Sequence, residues 1–135
     1  MNGQFLLDTD ILSLYIRKSS NVVSHAQDYL RLNGNFTFSI ITKFEILRGM
    51  KARKAATQLR TFDLFCQQNE IVNLNDDTIV TASEIYADLY KSGLIIGDAD
   101  ILIAATALQL GIPVVTNNES HFTRISGLQV LNWNR

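Results

Sequence analysis

Along this chain, short unbroken apolar runs alternate with longer segments in which apolar residues recur every three or four positions. QFLLD, FTFSI, EIVNL and IPVVT are runs of the first kind and predict strands, QFLLD a short buried one. A last strand is expected around QVLNW. Between the runs the spacing is helical. ILSLYIRK starts a helix behind Asp8, Thr9 or Asp10 as cap, and NVVSHAQDYLRLNG sets Val22, Ala26, Tyr29 and Leu30 on one face before stopping at Gly34. TKFEILRGMKARKAATQLRTFDLFCQQ reads as a long helical stretch broken near Gly49 or Ala56. Asp76 and Asp77 cap the next helix, whose apolar side carries Ile79, Ala82, Ile85, Tyr86 and Leu89 and which ends at Gly93. After a turn at Gly97, ADILIAATALQLG is another helix stopped by glycine.

Strands alternating with helices imply right-handed crossovers, and so an α/β fold with a mostly parallel sheet covered on both faces. Ligands of such sheets bind beyond the carboxyl ends of the strands. Asp8 ends the first strand, Glu45 lies in the first turn after the second, Asp98 and Asp100 open a helix, and Asn117 and Asn118 follow IPVVT. These acids and amides are therefore expected along one edge.

Each acid also has a plainer explanation. Thr42-Lys-Phe-Glu45 has the spacing of a capping box, in which the glutamate reaches back to the backbone of the cap. Asp98 and Asp10 are well placed as helix caps. Asp8 and Asp100 are harder to account for in this way. FLL precedes one and ILIAA follows the other, and an unpaired charge is costly in apolar surroundings. Carboxylates gathered about 4 Å apart repel by roughly 4 kcal/mol at an effective dielectric near 20. A divalent cation offsets that repulsion, and all-oxygen ligation selects Mg²⁺ or Mn²⁺. The chemistry this suggests is hydrolysis of a phosphodiester.

Composition narrows the setting. The 135 residues fit one domain, 1–135, with 47% hydrophobic and 19% charged residues and a single proline. One cysteine, Cys66, and two histidines, His25 and His121, are too few for a nitrogen and sulfur metal site, and the lone thiol suits a reducing cytoplasm. The N-terminus lacks a basic leader, and Asp98 and Asp100 interrupt the longest apolar stretch, so neither secretion nor membrane spanning is expected. The net charge of −1 hides a basic segment. Lys43, Arg48, Lys51, Arg53, Lys54 and Arg60 are half of the twelve basic residues and face one acid, Glu45. Such a segment is either a solvated helix face or a surface that meets phosphates, with Lys51, Arg53 and Lys54 as the phosphate-binding candidates.

FLLDTDILS, SIITKFEILRGM, IIGDADILIAATALQLGIPVVTNNESHF and GLQVLNW, in this order and spacing, resemble the PIN-domain ribonucleases, and within them the VapC toxins of toxin-antitoxin pairs. The resemblance covers nearly the whole chain. It implies a PIN-like three-layer α/β/α fold and an Mg²⁺- or Mn²⁺-dependent endoribonuclease. Asp8, Glu45 and Asp100 then take the three principal acidic positions, with Asp8 and Asp100 as direct metal ligands. Supporting places fall to Asp98, Asn118, Thr9 and Thr116; Asn118 stands where some PIN domains carry a fourth acid, and Asp10, often Asn in the family, is expected as a cap. The resemblance further implies a homodimer and a VapB-like antitoxin. That antitoxin is expected to lie along a groove beside the first helices, against Leu14, Tyr15 and the segment from Phe44 to Leu47.

Two alternatives stay open on the residues. Asp8-Thr-Asp10 after a strand, with the later GDAD, also resembles a haloacid dehalogenase-like phosphatase, although Leu12 and Leu102 stand where that family expects other residues. The other is a catalytically inactive PIN-like binding module, against which the retention of all three acids argues. Transfer, ribosomal and messenger RNA are all admissible substrates.

Overall fold

The computed structural model describes residues 3–135. Among them the elements run β1 (Leu6–Leu7), α1 (Thr9–Ile16), α2 (Ser20–Asn33), β2 (Thr37–Ser39), α3 (Ile40–Ala52), α4 (Ala56–Gln67), β3 (Glu70–Val72), α5 (Asp76–Ser92), α6 (Asp98–Leu110), β4 (Val114–Val115), α7 (Glu119–Phe122) and β5 (Val130–Leu131). The strands form one sheet in the order β3-β2-β1-β4-β5, and every pairing is parallel. This is the three-layer α/β/α arrangement expected from the alternating pattern.

The apolar runs are unbroken because both faces of the sheet are covered. Leu7 and Val115 point into a core with Ile11 and Leu12 of α1, Val22 and Tyr29 of α2, Ile46 and Met50 of α3, and Phe62 of α4. Their neighbours Leu6 and Val114 point the other way, against Ala82, Ile85 and Leu89 of α5 and Ile101, Ile103 and Ala104 of α6. Successive residues on a strand face opposite sides, so each adjacent apolar pair fills two cores. Strand order reverses beside β1: β2 lies on one side and β4 on the other. The crevice at such a reversal is the expected ligand position in a parallel sheet.

Several local signals resolve differently from the sequence expectation. α3 is capped three residues before the supposed capping box, by Ser39, whose Oγ accepts from Ile41 N–H at 3.0 Å, and Thr42 is buried inside the helix. Glu45 is thereby released from any capping role. Of the two expected breaks the one near Ala56 is found, at residues 53–55, where Lys54 takes φ 54°, and Gly49 lies inside the helix. A glycine in a helix interior costs about 1 kcal/mol against alanine, so Gly49 calls for a local reason. Asn75, not Asp76 or Asp77, caps α5, its Oδ1 accepting from Thr78 N–H at 2.9 Å. Gly97 occupies the cap position of α6, and Asp98 is its first residue. On α5 the buried side is Thr78, Ala82, Ile85 and Leu89, while Ile79 and Tyr86 face outward, 47% and 43% exposed. The helical period was right, but the apolar stripe was assigned too wide. α7 was not expected.

Candidate active site

Asp8 is the first residue beyond β1. Its backbone N–H donates to Val115 O at 2.8 Å, which fixes it against β4 at the point of strand reversal. Oδ1 accepts from Thr9 N–H at 2.8 Å and so caps α1, while Oδ2 accepts from the Thr116 hydroxyl at 2.7 Å. The residue is only 4% exposed. Burial, and then the neighbouring charge of Asp10, push its pKa up to about 8, against the lowering influence of Thr116 and Thr9; Asp100 adds a further upward contribution.

Asp10 does not cap α1, since Asp8 holds that position. Its Oδ2 instead accepts from Asn117 N–H at 3.1 Å and ties the loop after β4 to the helix. Its Oδ1 is buried, with no hydrogen-bond partner among the described residues. Burial raises the Asp10 pKa as well, opposed chiefly by the Asn117 N–H.

The other acids approach from two sides. Glu45, in the second turn of α3, has Oε1 at 2.6 Å from Thr9 Oγ1, and the Thr9 and Thr42 hydroxyls lie 3.0 Å apart. Arg48 Nη2 stands 3.5 Å from Glu45 Oε2. Asp100, in the first turn of α6, has Oδ2 at 2.9 Å from His121 Nδ1, and the Asn118 side-chain amide lies 2.7 Å from the same ring nitrogen. With Nδ1 donating to the Asp100 oxygen, no lone pair is left on it for the Asn118 N–H, whose approach is a close contact and not a second hydrogen bond. Asn118 N–H in turn donates to Thr116 Oγ1 at 2.9 Å. A continuous chain of polar contacts thus runs from Asp8 through Thr116, Asn118 and His121 to Asp100.

Of the residues singled out from the sequence, Asp8, Thr9, Glu45, Asp100, Thr116 and Asn118 meet in this network. Asp98 is exposed at the start of α6, and no hydrogen bond engages it among the described residues. Lys51, Arg53 and Lys54 are exposed where α3 ends. His121 was missed as part of the site. Its signal was its place three residues after Asn118, which one helical turn brings together.

A divalent cation fits these donors. The buried orphan oxygen on Asp10 and the mutual burial of Asp8 and Asp10 are both relieved by a positive charge, and every candidate ligand is oxygen. Among the described residues no three acid, histidine or cysteine side chains are gathered as a ready ligand set. Few protein ligands with water completing the shell is the usual habit of Mg²⁺.

Away from the acids, an apolar groove of about 810 Å³ opens between α1, α2 and α4, with Tyr15, Ile16, Val23, Met50, Phe62 and Phe65 among its walls. Tyr15 was expected to contribute to such a groove. Leu14 and the segment from Phe44 to Leu47 are not part of it, and Phe44 is exposed with the Arg48 guanidinium 5.2 Å from its ring centre.

Sheet order and site together define an α/β domain with an all-oxygen acidic centre at the strand reversal. The PIN domain family model matches residues 5–128. The chain is 34% identical over 130 residues to ribonuclease VapC1 of Methanocaldococcus jannaschii, covering 95% of this chain and 87% of that one. It is 29% identical to the tRNA(fMet)-specific endonuclease VapC of Salmonella typhimurium, over 96% of this chain and 98% of the relative. Its fold superimposes with a TM-score of 0.85 on the crystal structure of VapBC2 from Rickettsia felis bound to a DNA fragment from their promoter, at 29% identity and with 96% and 98% of the two chains covered. The chain belongs to the PIN-domain family, in its VapC branch. That membership sets aside the phosphatase alternative.

Proposed function

We propose that this protein is a divalent-cation-dependent endoribonuclease, the toxin of a toxin-antitoxin pair, acting on cellular RNA in the cytoplasm. The observation that carries this reading is the buried Asp8, held at the strand reversal by Thr9 and Thr116 and joined through Asn118 and His121 to Asp100. Asp8 and Asp100 hold the cation. Bound there, Mg²⁺ or Mn²⁺ lowers the pKa of a water and offsets charge on the leaving oxygen. Glu45, oriented by the Thr9 hydroxyl, accepts the proton of the attacking water. The water oxygen bonds to phosphorus as the bond to the 3′-oxygen breaks, and the proton passes to that oxygen, leaving a 5′-phosphate and a 3′-hydroxyl. Thr9, Thr116 and Asn118 keep the carboxylates in place, Asp98 adds negative charge at the rim, and Lys51, Arg53 and Lys54 bind RNA. Retention of all three acids favours this over an inactive binding module.

Incubation with total RNA and Mg²⁺, followed by mapping of the cut ends, tests the reading. Initiator transfer RNA is the first substrate to examine, because the Salmonella typhimurium relative is named for it. Cleavage that persists in EDTA, or cyclic phosphate ends, would overturn it.

The partner is a VapB-like antitoxin that lays an apolar segment in the groove walled by Tyr15, Met50, Phe62 and Phe65 and sets an arginine or lysine near Asp8, Glu45 and Asp100. The protein self-associates as a homodimer through the outward stripe of α5, where Ile79, Tyr86 and Tyr90 are exposed and the two tyrosine rings stack 6.2 Å apart.

A further inference from the structure

A second, narrower cleft of about 160 Å³ adjoins the acidic centre, and its walls have a regular construction. α1 contributes Thr9, Ser13 and Arg17, and α3 contributes Glu45, Gly49 and Arg53. On each helix these residues are four apart, so they form two facing stripes. At one end the stripes meet through the 2.6 Å contact of Thr9 with Glu45. At the other end, eight residues or about 12 Å along each helix, stand the two arginines. Both arginines are the residues that close their helices, Arg17 N–H donating to Ser13 O and Arg53 N–H to Gly49 O. No acid pairs with either guanidinium among the described residues.

Gly49 acquires its reason here. A Cβ at this position would stand 3.3 Å from Arg53 Nη1, so the bare backbone lets the guanidinium fold back over the helix toward the cleft.

We infer that this cleft is a phosphate-binding groove for the RNA strand: Arg17 and Arg53 bind a backbone phosphate further along the strand from the scissile one, with Ser13 and Gly49 as its narrow floor. The inference rests on the endoribonuclease reading for its substrate. Guanidinium groups suit the task, presenting planar pairs of donors to phosphate oxygens. Lys51 and Lys54 lie outside the cleft, so they contribute general attraction while the two arginines fix the strand's path. A phosphate held there adds affinity equally before and during the reaction, so it lowers KM and leaves kcat nearly unchanged.

The test uses the full chain and thymidine 3′,5′-bisphosphate, which carries two phosphates and no cleavable diester, with the arginine side-chain N–H resonances followed by NMR. Both the Arg17 and Arg53 signals are expected to shift, and Arg17→Gln and Arg53→Gln are each expected to weaken binding tenfold or more. Gly49→Ala is expected to weaken it severalfold while the Asp8 and Asp100 region keeps its Mn²⁺ affinity. In cleavage, Arg17→Gln and Arg53→Gln should raise KM at least tenfold with kcat within threefold, whereas Lys51→Gln with Lys54→Gln should change KM less. Unmoved arginine signals, or an unaltered KM in both arginine variants, would overturn the inference. If the parent cleaves no RNA but both arginines still respond to the bisphosphate, the anion groove stands and the ribonuclease reading falls.

Discussion

Replacing Asp8 by asparagine separates what the residue does for the reaction from what it costs the fold. Asparagine keeps an oxygen for Thr9 N–H and caps a helix as well as aspartate does. The charge is removed, and the Thr116 hydroxyl, which donated to the second oxygen, must turn to accept from the amide. A carboxyl whose pKa rises from 3.8 to about 8 on folding, driven first by burial, retains its proton in the folded chain while the unfolded chain has already released it. The native state then binds more protons between these two values, so the stability of the metal-free protein falls as pH rises across that window. At 1.36 kcal/mol per pH unit the whole interval corresponds to about 6 kcal/mol, a large share of the 5 to 15 kcal/mol typical of a domain. Urea unfolding in EDTA at pH 5 and pH 8 measures it. The parent is expected to lose several kcal/mol between the two, Asp8→Asn to lose clearly less, its remaining slope coming from the buried Asp10 carboxyl, and the variant to be the more stable at pH 8. Mg²⁺ should restore the parent at pH 8 and leave the variant unmoved, because a ligand stabilises only the state that binds it. Parallel pH curves for the two proteins would refute the reasoning.

Asp100→Asn is expected to leave the urea midpoint within about 1 kcal/mol of the parent and to abolish RNA cleavage; full activity would remove Asp100 from the metal site. His121→Ala, which deletes the donor at 2.9 Å from Asp100 Oδ2, should weaken Mn²⁺ binding by roughly 10- to 100-fold in calorimetry. Reversing Lys51, Arg53 and Lys54 to Glu should weaken RNA binding and flatten its dependence on salt, read by anisotropy across a salt series. Val23→Glu with Thr61→Glu, on the walls of the apolar groove but outside the fully buried core, should break the antitoxin complex in a pull-down while RNA cleavage continues. Tyr86→Glu with Tyr90→Glu should turn a dimer into a monomer by light scattering.

The positions of the principal acids could be read from the sequence because they depend on boundaries: Asp8 ends a strand and Asp100 begins a helix, and both boundaries are sharp in the apolar pattern. Glu45 was reached by a less direct route. Two hydroxyl residues three apart, Ser39 and Thr42, compete to start α3, and the local sequence suits either; in the structure Ser39 takes the cap, while the Thr42 hydroxyl turns to Thr9 of α1. What stayed hidden depends on elements meeting in space. Asp10 bonds to Asn117, 107 residues away, and Arg17 and Arg53 share a cleft only because α1 and α3 lie side by side. The outward stripe of α5 was hidden for another reason, since Ile79 and Tyr86 have core composition without core burial.

The contact of Asp8 with Thr116 spans 108 positions, and the backbone of Asp8 is secured by Val115. During synthesis the first of these residues leaves the ribosome long before the last, and a chain that has not yet added β4 has no partner for the Asp8 backbone N–H or for the carboxylate oxygen that Thr116 engages. Long-range closures of this kind come late in folding. The acidic centre is therefore unassembled in every nascent or prematurely ended chain, and it is completed only when the sheet closes.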